Sequence, residues 1–127
     1  MHVNRRRYER FALSPMYTPV SVRLLDSETF DLEGHAYDIS EGGIRFELDR
    51  PIAPGTHIAM QIALPAGLGS AQSGPGRSVF VLGNVVWIDD EEPGPVRMAL
   101  AITRFARAGD RERLIERLAS GRYARAA

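Results

Sequence analysis

The chain has 127 residues, of which 44% are hydrophobic and 25% charged, and its sixteen basic and sixteen acidic residues cancel to a formal net charge of zero. That length supports one domain, 1–127, with its own core, and the charge balance excludes bulk attraction to nucleic acid or anionic membrane. With no cysteine, disulfides, thiol catalysis and thiolate metal sites are excluded as well. No apolar run is as long as a membrane span, and the arginine cluster near the N-terminus has no apolar core behind it, so a cytoplasmic location is expected.

In chain order, residues 1–11 centre on Arg5-Arg6-Arg7-Tyr8-Glu9-Arg10 and read as a flexible arm, since like charge is clustered and apolar anchors are few. Arg6 and Arg10 are four apart. They share a face in a helical turn and still converge on one anion from an irregular arm. Guanidinium forks suit phosphate and guanine edges and stack on π faces; the plainer reading is a solvated basic end. From residue 19 to 24 the pattern alternates, with Val20, Val22 and Leu24 inward. A turn at 26–28 leads to a second strand at 30–37, with Phe30 and Leu32 on one face and a bulge at Gly34.

A polar connection at 38–43 follows, then a third strand at 44–48 and a fourth at 57–64 with Ile58, Met60, Ile62 and Leu64 inward. Residues 65–78, rich in Gly, Ser, Ala and Pro, read as a mobile surface loop. A long strand at 79–88 bends at Gly83, an acidic tip at 89–95 turns the chain, and a last strand runs from 96 to 105. Trp87 and Phe105 fall in apolar strands and read as core or barrel-rim residues. Asp110 is placed to cap a helix reaching about residue 120, with Leu114, Ile115 and Leu118 as its apolar stripe. Six strands and one amphipathic helix predict an all-β fold, a six-stranded antiparallel β-barrel over 18–105 with a C-terminal helix at 110–120.

Catalysis has little support. His2, His35 and His57 are scattered without metal-ligand spacing, Ser40 lies in no nucleophile-elbow pattern, and no phosphate-binding loop or dinucleotide fingerprint occurs. The chemistry concentrates in Asp38-Ile39-Ser40-Glu41-Gly42-Gly43. Asp38 offers two acceptors, Ser40 a hydroxyl, and the glycines permit positive φ. Such a turn either bonds its own backbone or holds a planar group rich in N–H donors, such as a guanine edge.

Together the two segments resemble the PilZ domain, a family of bacterial receptors for the second messenger cyclic di-GMP. The family's marks are RxxxR and, about thirty residues on, [DN]xSxxG; here they read Arg6-Arg7-Tyr8-Glu9-Arg10 and Asp38-Ile39-Ser40-Glu41-Gly42-Gly43. The likeness continues through Ile44-Arg45-Phe46-Glu47-Leu48, Gly83-Asn84-Val85-Val86-Trp87, Arg104-Phe105 and the helix start at Asp110, and covers the chain from Arg5 to about Leu118. Ala101 stands where relatives often have Gly, a departure expected to affect packing rather than the motif. The resemblance implies a barrel with the arginine arm across its outside and no catalytic activity. Arg6 and Arg10 would grip phosphates and guanine edges, Asp38 and Ser40 would hold the other guanine, and Gly42 and Gly43 would shape the turn. Arg5 would add a contact that accompanies two stacked ligands. It further implies an arm that orders on binding and a protein partner in motility, exopolysaccharide or pilus control, with no cofactor, metal, nucleic-acid polymer or membrane insertion. A PilZ-fold adaptor that binds no nucleotide is the second reading. A barrel that binds RNA or DNA through the arginines ranks last, because aromatic platforms and a wider basic surface are missing from the sequence.

Overall fold

A computed structural model of the chain describes residues 10–12, 18–63, 78–91 and 93–119. The elements in order are β1 (Phe11–Ala12), β2 (Pro19–Leu24), β3 (Leu32–Ile39), β4 (Gly43–Leu48), β5 (His57–Ala63), β6 (Ser78–Asp89), β7 (Val96–Phe105) and α1 (Asp110–Ala119). Six strands pair antiparallel in the ring β3-β2-β5-β6-β7-β4, and β4 returns to β3 to close the barrel. The short β1 lies against the end of β3, pairing Phe11 with Ile39 and Ala12 with Asp38. The expected barrel and helix are therefore both present, with one extra strand. Phe11 belongs to that strand, which brings the barrel's edge into the last residue assigned to the arm.

Alternation fills the interior. Val22, Phe46, Ile58, Met60, Ile62, Val81 and Met98 are fully buried, and Leu114 and Leu118 of α1 join the same core. Removing a ring such as Phe46 would cost about 3–5 kcal/mol in transfer and cavity terms. Leu114 and Leu118 sit four apart on the inward face of α1, whereas Ile115, expected in the stripe, is turned about 100° away and stays exposed.

Two other expectations change. The bulge expected at Gly34 is absent: Gly34 pairs regularly with Val20 and Leu48. Gly34 is required for a different reason, since a Cβ there would collide with the Glu47 carbonyl oxygen. The irregularity falls between Ala36 and Asp38, which leaves Tyr37 unpaired. Phe30 lies before the strand rather than in it, and its ring meets Phe80 edge-on at 6.0 Å.

The helix start is fastened by a buried charge. Asp110 was expected as the cap, but the first helical hydrogen bond runs from the Arg113 amide to the Gly109 carbonyl at 3.0 Å. The fully buried Asp110 carboxylate instead accepts from the Phe80 amide at 2.8 Å and from Arg107 Nε at 3.0 Å, with Arg113 Nη2 at 3.3 Å. Arg107 also donates to the Ser78 carbonyl and covers the Phe80 ring at 4.4 Å. This cluster latches α1 to β6.

Candidate functional site

Of the three register shifts in the barrel, two aim Asp38 and Trp87 into the site. Along β3, simple alternation from buried Ala36 would point Asp38 inward. The extra residue Tyr37 reverses the phase, so Ile39 is buried and Asp38 faces out with only 14% of its side chain exposed. Along β6, Val79, Val81 and Val85 point inward, and the same rule would bury Trp87. An extra residue at Val86, between the pairs Val85 with Leu100 and Trp87 with Ala99, turns Trp87 outward, where it is 44% exposed. Trp87 is thus neither core nor rim but part of the barrel's outer wall.

The register then aligns one row across four strands, Asp38 on β3, Arg45 on β4, Ala99 on β7 and Trp87 on β6. Ala99 is small, which lets the Arg45 guanidinium reach over it to within 5.8 Å of the Trp87 ring centroid. Arg45 Nε lies 4.0 Å from Asp38 Oδ2, a long and half-exposed ion pair worth less than about 1 kcal/mol.

The turn that follows Asp38 is held by Ser40. Its hydroxyl oxygen accepts from the Gly42 amide at 3.2 Å and the Gly43 amide at 3.1 Å, while the Ser40 amide donates to the Gly43 carbonyl at 2.8 Å. The self-bonding reading of the turn is therefore realised through Ser40. Neither Gly42 nor Gly43 has positive φ. Gly43 is needed because a Cβ would come 2.8 Å from the Leu100 carbonyl oxygen, and Gly42 accepts from the Ile102 amide at 2.9 Å, fastening the turn to β7.

These residues line an open cleft of about 820 Å³ on the outside of the barrel. Of the expected site residues, Arg10, Asp38, Ser40, Gly42 and Gly43 all meet there. The pairing of Phe11 with Ile39 carries Arg10 level with Ser40. Arg5 and Arg6 lie outside the described residues. Ala101 also lines the cleft, so its methyl group bears on the site as well as on packing. Arg45, Trp87, Arg104 and Arg111 were not anticipated. An arginine on the outward phase of β4, one strand from the turn, was a usable signal for Arg45. The bulge hid Trp87, and the contact that brings Arg111 from α1 to Glu41, at 3.0 Å, leaves no local trace.

The described lining carries four arginines, Arg10, Arg45, Arg104 and Arg111, against two carboxylates, Asp38 and Glu41, a balance of +2. An aromatic face, a row of guanidinium donors and one outward carboxylate suit a flat anionic ligand that has both acceptor and donor edges. Neither described histidine lines the cleft, and among the described residues no group of three or more His, Asp or Glu could hold a metal ion. No helix among them is long and apolar enough to cross a membrane.

A model of the PilZ domain family matches residues 4–120. Among solved structures, the chain is similar to the Bacillus subtilis inhibitor of motility MotI/DgrA, at 24% identity and a TM-score of 0.63, over 94% of this chain and 54% of that one. It is similar to the PilZ domain of YcgR from Escherichia coli with c-di-GMP, at 20% identity and a TM-score of 0.61, over 91% and 95% of the two chains. The MrkH–c-di-GMP complex of K. pneumoniae follows at 16% identity and a TM-score of 0.63, over 92% and 52%. The chain spans about half the length of the first and third of these. A search of curated proteins gave no match.

Proposed function

The chain belongs to the PilZ domain family, and from that premise we propose that its outer cleft is a receptor site for cyclic di-GMP, whose occupation orders the N-terminal arm and signals to a protein partner. The observation that carries the reading is the row Asp38–Arg45–Ala99–Trp87 beside Arg10 in one cleft. Guanine offers O6 and N7 acceptors on one edge and N1–H and N2 donors on another. Arg6 and Arg10 match the first edge and the phosphates, Asp38 matches the second, and the Trp87 ring capped by Arg45 gives a base a stacking face. The +2 balance of the described lining matches the two phosphate charges of one cyclic dinucleotide. Gly42 and Gly43 shape the turn, and Ser40, whose hydroxyl oxygen accepts from their two amides, keeps an O–H that can donate to the base beside Asp38.

Arg5 adds a contact that goes with a second, stacked ligand. The c-di-GMP in the similar YcgR and MrkH structures supports the ligand, and the motility inhibitor among the similar structures supports a protein partner. We take the role to be that of a non-catalytic receptor in the cytoplasm.

The test is calorimetric titration with cyclic di-GMP and cyclic di-AMP at one salt concentration. Adenine sets an amino donor against arginine and lacks the donor pair for Asp38, so cyclic di-AMP should bind at least ~100-fold more weakly. Asp38→Asn, which keeps one acceptor oxygen, should retain most of the affinity, and Asp38→Ala should not. Equal affinity for the two dinucleotides would mean that the arginines read phosphate alone. No binding of either would leave the adaptor reading.

A further inference from the structure

Glu41 is an acid inside a turn assigned to an anionic ligand. Its side chain is only 17% exposed, and its carboxylate is met by Arg111 Nη2 at 3.0 Å; both residues line the cleft. Arg111 comes from the first turn of α1, where a cation opposes the helix dipole. The facing carboxylate offsets that local cost. The helix start is seated independently by the Asp110 latch to β6, so Arg111 is delivered to Glu41 only when α1 is docked.

We propose that the Glu41–Arg111 ion pair couples ligand affinity to the docking of α1. With the helix seated, Arg111 neutralises Glu41 and the turn accepts an anion. With the helix lifted, Glu41 faces the ligand's phosphates with its charge uncompensated and affinity falls. Arg111 is on this account a positioning residue that acts through Glu41, and the proposal rests on the cyclic di-GMP reading. Linkage makes it reciprocal: ligand holds α1 down by the same factor by which the docked helix favours ligand. Occupation of the cleft would thus reach an element on which a partner could act without entering the cleft.

The experiment is a four-variant cycle of parent, Arg111→Met, Glu41→Gln and the double variant. Cyclic di-GMP affinity is read by calorimetry, and α1 amide exchange is followed in the same four proteins without ligand. Arg111→Met should weaken binding about 10-fold, within the usual range for coupled sites. Glu41→Gln should bind a few-fold more tightly. The double variant should stay within ~3-fold of Glu41→Gln, because nothing is left to neutralise. In the apo proteins, α1 should exchange up to about 5-fold faster than the parent in each single variant, and no faster in the double than in the singles, as for a half-exposed ion pair. A double variant as weak as Arg111→Met would mean that Arg111 binds ligand directly and would overturn the coupling, as would α1 exchange unchanged in both single variants. A parent chain that binds no cyclic di-GMP overturns the ligand reading, whereas a parent that binds while its variants are additive overturns the coupling alone.

Discussion

Trp87 is a residue at which stability and recognition separate. It is 44% exposed and contributes no interior packing, so Trp87→Ala should change unfolding free energy by less than about 0.5–1 kcal/mol. Base stacking on an aromatic side chain is worth about 1–3 kcal/mol, so the same variant should lose ~5-fold or more in cyclic di-GMP affinity. Paired denaturation and titration check this; unchanged affinity would remove Trp87 from the site. Tyr37, the residue of the β3 bulge, gives a prediction in pH. Burial pushes its phenol above the ordinary value near 10; the Glu47 carboxylate to which it donates adds to the shift, and Arg97, over the Tyr37 ring, opposes it. A raised pKa means that the unfolded chain releases this proton first as pH rises. The stabilisation is therefore complete below pH about 10 and is lost as pH climbs through the folded value. Denaturant midpoints across the alkaline range should fall for the parent and fall less steeply for Tyr37→Phe. Identical alkaline slopes would place the loss in another group.

Among the elements, α1 depends on one carboxylate. Asp110→Ala would strand the Phe80 amide and leave Arg107 and Arg113 facing each other without their shared anion. The expected cost is about 2–4 kcal/mol, between a lost buried hydrogen bond and a broken buried ion pair. Thermal unfolding of the variant should show it, and a midpoint shift of a degree or less would mean that the helix is held by Leu114 and Leu118 alone. The elements also show what was legible before the structure. Strands such as β2, β4 and β5 announce themselves because one wet face and one dry face impose alternation, and the helix announces itself by its period. A bulge does not, because one extra residue leaves composition unchanged and shifts only the phase. The register shift beside Gly83 falls where a bend is expected, but the extra residues at Tyr37 and Val86 are misplaced or unseen, and with them the outward aim of Trp87. The motif residues Asp38, Ser40 and Gly43 were found, but their division of labour was not. The donors that engage Ser40 are backbone amides, which carry no sequence signature.

For the whole molecule, zero net charge conceals a separation. Seven of the sixteen arginines belong to the N-terminal segment or the cleft, while Asp89, Asp90 and Glu91 stand together at the hairpin joining β6 and β7. Among the described residues, the barrel closes through the pairing of β3 with β4, with none before Phe11 in a strand. Residues 1–9 are therefore expected to serve the ligand and not the fold. Deleting them should leave apo stability within about 0.5 kcal/mol of the parent, as for changes remote from core and latch. Ligand at about 100 times its dissociation constant should stabilise the parent by about 2.7 kcal/mol. The truncated chain should show almost none of that gain, because loss of Arg5 and Arg6 removes charge-assisted bonds worth about 1.5–3 kcal/mol each. Hydrogen exchange should report the same event from the other side, with protection appearing in residues 1–9 of the parent only when cyclic di-GMP is added. A truncated chain that binds as tightly as the parent would show that Arg10 and the barrel residues suffice. An arm protected equally with and without ligand would mean that binding is not what orders it.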